Sequence, residues 1–247
     1  MRTATALRDL AAFGPFFAVD THLAGSVAHQ PWHAMSELVD DPRILRDRVA
    51  AVRARLAAAG GQAPEVVELR VAASVTQLGL VARLVSPALA FSVTTGKLLK
   101  VDLGSTRWQR MLGGAFPLSV PLPADTSTGN HDPKHLAHLV ARHVLGGPIR
   151  DLVQATMPLS VSPRILWGNV ASAVNSALSM IATRQPPWAQ RSRMLTSLLL
   201  DQPPLHNTSI RTTTGIFRRR SCCLIYRAAP TATAAVCGDC ILSRDLP

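Results

Sequence analysis

Apolar residues recur three and four apart over several long stretches, and that spacing predicts helices. Ile44, Leu45, Val49, Val52 and Leu56 mark one from Asp41-Pro42 to about Ala59, with Arg43, Arg46, Arg48, Arg53 and Arg55 beside the stripe and Gly60-Gly61 as its stop. Pro64 restarts a helix at Glu65 that runs to Ser86-Pro87 or breaks near Gly79. The most apolar stretch, Val71 to Val93, contains Gln77, Arg83 and Pro87, so it reads as a buried helix pair rather than a membrane span. Asp132-Pro133 opens a helix to about Leu145, closed by Gly146-Gly147-Pro148, and Ile149 to Met157 forms another. Ser162-Pro163 has the cap and first-turn pattern of a long helix to about Thr183. Its apolar stripe is Leu166, Val170, Val174, Leu178 and Ile181; its other face carries Asn169, Ser172, Ser176 and Ser179. Trp188 to Leu200 is the last helix.

Period-two alternation is rarer. Lys97 to Leu103 reads as a short strand, and Phe116 to Leu122 as an extended run that its prolines restrict to an edge or a non-sheet position. Ala124 to Asn130 and Leu205 to Gly215 read as polar loops. Many helices and few strands, without regular βαβ alternation, predict an α+β, mainly α-helical fold with a few short strands and a small C-terminal module. Asp201-Gln202-Pro203-Pro204 places the boundary, giving residues 1–204 as the helical domain and 205–247 as the module.

Composition adds three points. Hydrophobic residues make up 47% and charged residues 17%, which excludes a disordered chain. Aromatics are only 4%, so aliphatic and Ala packing must build the core. The net charge of +11 suits anionic partners, but it is spread along the chain, so nucleic acid is not expected. A peripheral membrane surface is a further partner class compatible with that charge. Leu10 to Val19 is apolar, yet Asp9, Pro15 and the lack of a small-x-small site argue against a leader, and a cytoplasmic location is expected. Thiols there stay reduced and serve metals or catalysis.

The chemistry is concentrated at the C-terminus. All four cysteines lie within the last 26 residues, as Cys222-Cys223, thirteen residues, then Cys237-Gly238-Asp239-Cys240. Four converging thiolates are the ligand set of a [2Fe–2S] or [4Fe–4S] cluster or of tetrahedral zinc. A Cys-x-x-Cys pair is generic. The adjacent pair discriminates, because neighbouring side chains point apart and suit a larger centre than one ion. Structural zinc, two disulfides and thiol redox chemistry at Cys237 and Cys240 rank below the cluster. A cluster on four thiolates is anionic, and Arg218, Arg219, Arg220 and Arg227 would offset its charge.

RRSCCLIYR (Arg219 to Arg227) followed by CGDCIL (Cys237 to Leu242) resembles the C-terminal signature of the FhuF-type siderophore-iron reductase family, the (2Fe-2S)-binding ferric iron reductases. SPRILWGNVASAV (Ser162 to Val174) is similar to a Leu-Trp-Gly-Asn segment of the same family, and AAFGPFFAV near the start is loosely similar. The spacer between the cysteine pairs is longer than the family's, an Ala/Thr/Pro-rich extension at Ala228 to Ala235. The resemblance implies a cytoplasmic oxidoreductase in which Cys222, Cys223, Cys237 and Cys240 hold a [2Fe–2S] cluster. That cluster would pass one electron to the Fe(III) of a ferric siderophore and release Fe(II). No catalytic residue beyond the cluster is implied. No dinucleotide or flavin motif is present, so a separate electron-donor protein is expected.

Other residues carry weaker signals. Trp167 and Asn169 near a helix start, with Arg218, Arg219 and Arg220, are candidates for substrate binding. His131, His135, His138 and His143 crowd one helix and read as a polar face, with a second metal site or a substrate contact as the sharper readings. Two rival functions stand beside the reductase: a binding module stabilised by zinc on the four cysteines, and a non-enzymatic iron–sulfur regulator.

Overall fold

The longest helix of the fold, 27 residues, is almost wholly buried from Leu80 to Val93, and the other elements are arranged around it. This computed structural model describes residues 3–122, 131–228 and 236–242. The loop expected at 124–130 and nearly all of the spacer extension lie outside the described residues. The helices are α1 (Thr3–Asp9), α2 (Glu37–Asp40), α3 (Pro42–Ala59), α4 (Leu69–Thr95), α5 (Pro133–Val140), α6 (Arg150–Thr156), α7 (Pro163–Arg184) and α8 (Ala189–Leu200). The strands are β1 (Asp20–His22), β2 (His33–Ala34), β3 (Arg107–Trp108), β4 (Leu118–Pro121), β5 (Ser209–Arg211) and β6 (Phe217–Arg219). The fold is mainly α-helical with a few short strands.

Helices α4 and α7 form the central pair, flanked by α3 on one side and α8 on the other. The expected stripe of α7 is the buried one: Leu166, Val170, Val174, Leu178 and Ile181 are all solvent-excluded. Helix α3 starts and stops where its cap and glycines predict, with the Asp41 carboxylate accepting from Arg43 N at 2.9 Å. By length and composition α4 and α7 could each cross a membrane, but most of each is buried inside the fold.

Three expectations are corrected. The apolar stretch 71–93 is one helix, not a pair, and passes through Gly79 and Pro87. A proline costs an interior helix ~3 kcal/mol, which burial of nearly every side chain from Leu80 to Val93 outweighs. Residues 97–103 alternate in burial, with Leu99, Val101 and Leu103 inside, but pair with no strand. The Phe116–Leu122 run is not an edge: β4 pairs parallel with β1 and antiparallel with β3, inside a sheet of order β1-β4-β3-β2. Pro121 is tolerated because it ends the strand. The glycines at 146–147 separate two helices as expected: Gly147 leaves helical dihedrals (φ −112°, ψ −111°), and the kink there divides the helix that begins at Pro133 from the one that contains α6.

The chain after α8 is built onto this body. Leu205 and Phe217 belong to the main core, and the β5–β6 hairpin, absent from the sequence reading, pairs Ser209 with Arg219 and Arg211 with Phe217. A second small apolar cluster joins Ala57, Val67 and Val71 to Ala228, with Leu224 packed against it.

Candidate metal centre

Strand β6 alternates Phe217 inward, Arg218 half-buried and Arg219 inward, so the chain delivers a guanidinium, 1% exposed, into the interior just before the cysteines. Arg219 donates to Asn169 Oδ1 at 2.7 Å and to Cys237 Sγ at 2.5 Å. Asn169 in turn donates to Ser74 O and Ser74 Oγ, both at 3.1 Å, and to Gln77 Oε1 at 3.0 Å. Ser74 Oγ donates to Cys223 O at 2.9 Å. The network therefore links α4, α7 and both cysteine segments through buried polar groups.

Further contacts place the Cys-x-x-Cys turn. Cys240 N donates to Cys237 O at 2.9 Å and Arg219 N to Asp239 O at 3.0 Å. Ser172 Oγ bonds the Asp239 carboxylate, and Arg218 donates to Gly238 O. Gly238 is not in the left-handed region, whereas Leu224, straight after the cysteine couple, is (φ 70°). That bend lets Leu224 N donate to Cys222 Sγ at 3.3 Å, and Leu242 N does the same to Cys240 Sγ at 3.3 Å.

The sulfurs form two pairs. Cys223 Sγ is 3.5 Å from Cys237 Sγ, and Cys222 Sγ is 3.9 Å from Cys240 Sγ. Each pair takes one member from each cysteine segment, and no cysteine is bridged. Among the described residues no group of three or more His, Cys, Asp or Glu side chains converges as a ligand set. Four sulfurs around one zinc would stand on six edges of about 3.8 Å, given a Zn–S bond near 2.3 Å. Electrostatics divide the pairs internally. The hydrogen bond with Cys237 pulls the Cys223 thiol down to about 5, against burial and with help from Arg219. Cys237 is pushed up by the same hydrogen bond. Burial, with Cys240 beside it, pushes Cys222 up to about 11. Burial alone would lower Arg219, but the sulfurs of Cys223 and Cys237 and the Asp239 carboxylate outweigh it and raise its pKa.

The candidate residues are thus partly regrouped. Asn169 is fully buried and Arg219 nearly so, so both position the cysteines and neither offers a face to a substrate. Trp167 is half-buried against the core. Arg220 is exposed and lies on the hairpin, its Nε 3.4 Å from Ser209 O. Arg227 is drawn away from the sulfurs into an ion pair with Glu68 at 2.9 Å. Of the four arginines expected to offset a cluster's charge, Arg219 donates to a sulfur, that of Cys237. The His131 and His135 rings pack with centroids 4.4 Å apart, tilted by 46°, and the histidines gather no metal group among the described residues. Sequence reasoning does not single out Ser74, Gln77, Gly168, Ser172 or Asp239 for this network. The available signal is the pair of polar residues three apart inside the apolar run of α4.

Gly168 marks how closely α7 meets the module. A Cβ there would overlap Ser221 Oγ, which donates to Arg164 O at 3.1 Å. Gly168→Ala is expected to destabilise the protein although alanine gains about 1 kcal/mol in helix propensity. In a Ser221→Gly background the same change is expected to stabilise it. Urea midpoints of the four proteins should give a coupling of more than about 1 kcal/mol; additivity within error would refute the contact.

No protein-family model matches this chain, and no curated protein matches it.

Proposed function

We propose that this chain is a ferric-siderophore reductase in which Cys222, Cys223, Cys237 and Cys240 hold a [2Fe–2S] cluster. The observation that carries the reading is the meeting of the two family-like segments: Arg219, beside the cysteine couple, bridges Asn169 of the Leu-Trp-Gly-Asn segment to Cys237. The donor set fits the group. Four unbridged thiols stand in two pairs, two of the sulfurs already accept a backbone N–H, and the buried Arg219 Nε has no acceptor among the described residues. When bound, the cluster supplies one electron to chelated Fe(III), and the Fe(II) formed is held far more weakly by hard oxygen donors.

The protein's own groups do the rest. Arg219 holds positive charge where thiolates gather, and Ser74, Gln77 and Asn169 fix it there. Ser172 fixes the Cys-x-x-Cys turn through Asp239. The reading includes a separate electron-donor protein and a cytoplasmic location. It is tested on anaerobically purified full-length protein by counting iron, sulfide and zinc and recording the visible spectrum before and after dithionite. About two irons and two sulfides per chain, with colour bleached by dithionite and restored by a ferric chelate as Fe(II) is trapped, is the expected result. A colourless protein with about one zinc per chain would favour the zinc module. A cluster that never reduces a ferric chelate would favour the regulator.

A further inference from the structure

The polar face of α7 does not end at the cysteine module. Beyond Asn169 and Ser172 it continues as Asn175, Ser179 and Thr183, and here it opens into a cleft of about 350 Å³ shared with α8 and β5. Arg193 and Thr196 line it from α8 and Arg211 from β5, and among the described residues no acidic side chain lines it. Thr183 and Thr196 turn their hydroxyl protons back to helix carbonyls, at 3.0 Å to Ser179 O and 2.8 Å to Ser192 O. Arg211 gives one N–H to Gly215 O at 3.2 Å, leaving its other donors free. Among the described residues Arg193, Asn175 and the Ser179 hydroxyl have no hydrogen-bond or ion-pair partner. Two guanidinium groups with no counter-charge therefore share a concave site with an amide and a hydroxyl, an arrangement suited to a polyoxygen anion.

Its position connects it to the metal centre. Asn175 lies six residues beyond Asn169 on the same helix, about 9 Å along the axis. Arg211 is two residues from Ser209, whose partner across the hairpin is Arg219. We propose that this cleft binds the anionic oxygen arm of the ferric chelate, a catecholate or carboxylate, beside the cysteine centre. The proposal rests on the reductase reading for the identity of its ligand.

Gallium(III) tris-catecholate tests it, because gallium(III) copies the charge and shape of the ferric complex and accepts no electron. Calorimetric titration into the full-length, cluster-loaded protein is expected to show binding that weakens about tenfold or more in Arg193→Ser/Arg211→Ser, as loss of charge-assisted bonds requires. Arg46→Ser/Arg142→Ser, which removes the same charge from exposed positions elsewhere, is expected to change affinity less than about twofold. A gallium citrate titration separates the carboxylate source from the catecholate one. Equal losses in both variant pairs, unchanged affinity in Arg193→Ser/Arg211→Ser, or no binding to the unmodified protein would each overturn the cleft. Reduction of ferric tris-catecholate and of ferric citrate by the dithionite-reduced, desalted protein, whose cluster gives the one electron, is followed in parallel. Reduction without a cleft effect removes this site and leaves the reductase reading. Gallium binding that depends on the cleft, without any ferric reduction, removes the reductase reading and leaves an anion site.

Discussion

Serine at Cys223 or Cys240 is expected to leave on the order of a tenth or less of the visible absorbance and bound iron of the unmodified protein. Both residues are 1% exposed, so a serine there is shut off from water. At Cys223 the hydrogen bond with Cys237 and the Arg219 guanidinium hold the free thiol's pKa well below the ordinary value, so it gives up its proton readily. Serine would lose that anion and leave Arg219 facing a neutral oxygen. Cys222 and Cys237 are half-exposed, and serine at either is expected to retain a weakened, air-sensitive centre because water reaches the vacated position. The order of loss, with Cys223 and Cys240 worst, is read from iron, sulfide and absorbance on four single variants purified anaerobically. Four variants with intact spectra would end the assignment of these residues as ligands. Identical losses would leave the ligands in place and remove the burial argument.

The parts of this structure that are legible in the sequence are those whose signals are local. Helices α3 and α7 announce themselves by Asp-Pro and Ser-Pro starts and a four-residue apolar stripe, and both form where those signals put them. Helix α4 is misread because Pro87 is a local signal overruled by burial along its whole length. Residues 97–103 show the converse: alternation records which side chains go inward and says nothing about whether a partner strand is in reach. The site divides the same way. The cysteines, the arginine run and the Leu-Trp-Gly-Asn segment are all visible, but which arginine turns inward depends on the β5–β6 hairpin. Phe217 fixes the parity of that strand, and once β6 is known Arg219 must follow it into the interior. The polar residues of α4 are visible only as interruptions of an apolar run. Their partners, Asn169 and Cys223 O, lie 92 or more positions away in the chain.

Arg83→Met is expected to cost about 3 kcal/mol of folding stability, a large part of the 5–15 kcal/mol a domain of this kind holds. Arg83 is 2% exposed on α4 and donates to three backbone carbonyls: Phe116 O at 2.8 Å, Phe16 O at 2.8 Å and Ala18 O at 2.5 Å. Burial lowers its pKa only to about 10, so it stays charged at neutral pH, and its bonds are charge-assisted. One guanidinium thus fastens both the N-terminal segment before β1 and the entry to β4 onto the central helix. Methionine fills similar volume and removes the cost of a buried charge, but it leaves three carbonyls with no donor, and the lost pairing dominates. Lysine should not rescue, because one ammonium lacks the planar fork that reaches three separate oxygens. A urea titration should show the midpoint of Arg83→Met falling with an unchanged slope, and Arg83→Lys falling nearly as far. Because Arg83 lies outside the cysteine network, metal content per folded chain is expected to stay as in the unmodified protein. A midpoint that does not move would mean the N-terminal segment is held by its apolar contacts, Phe13 and Phe17 against the core, and not by the arginine.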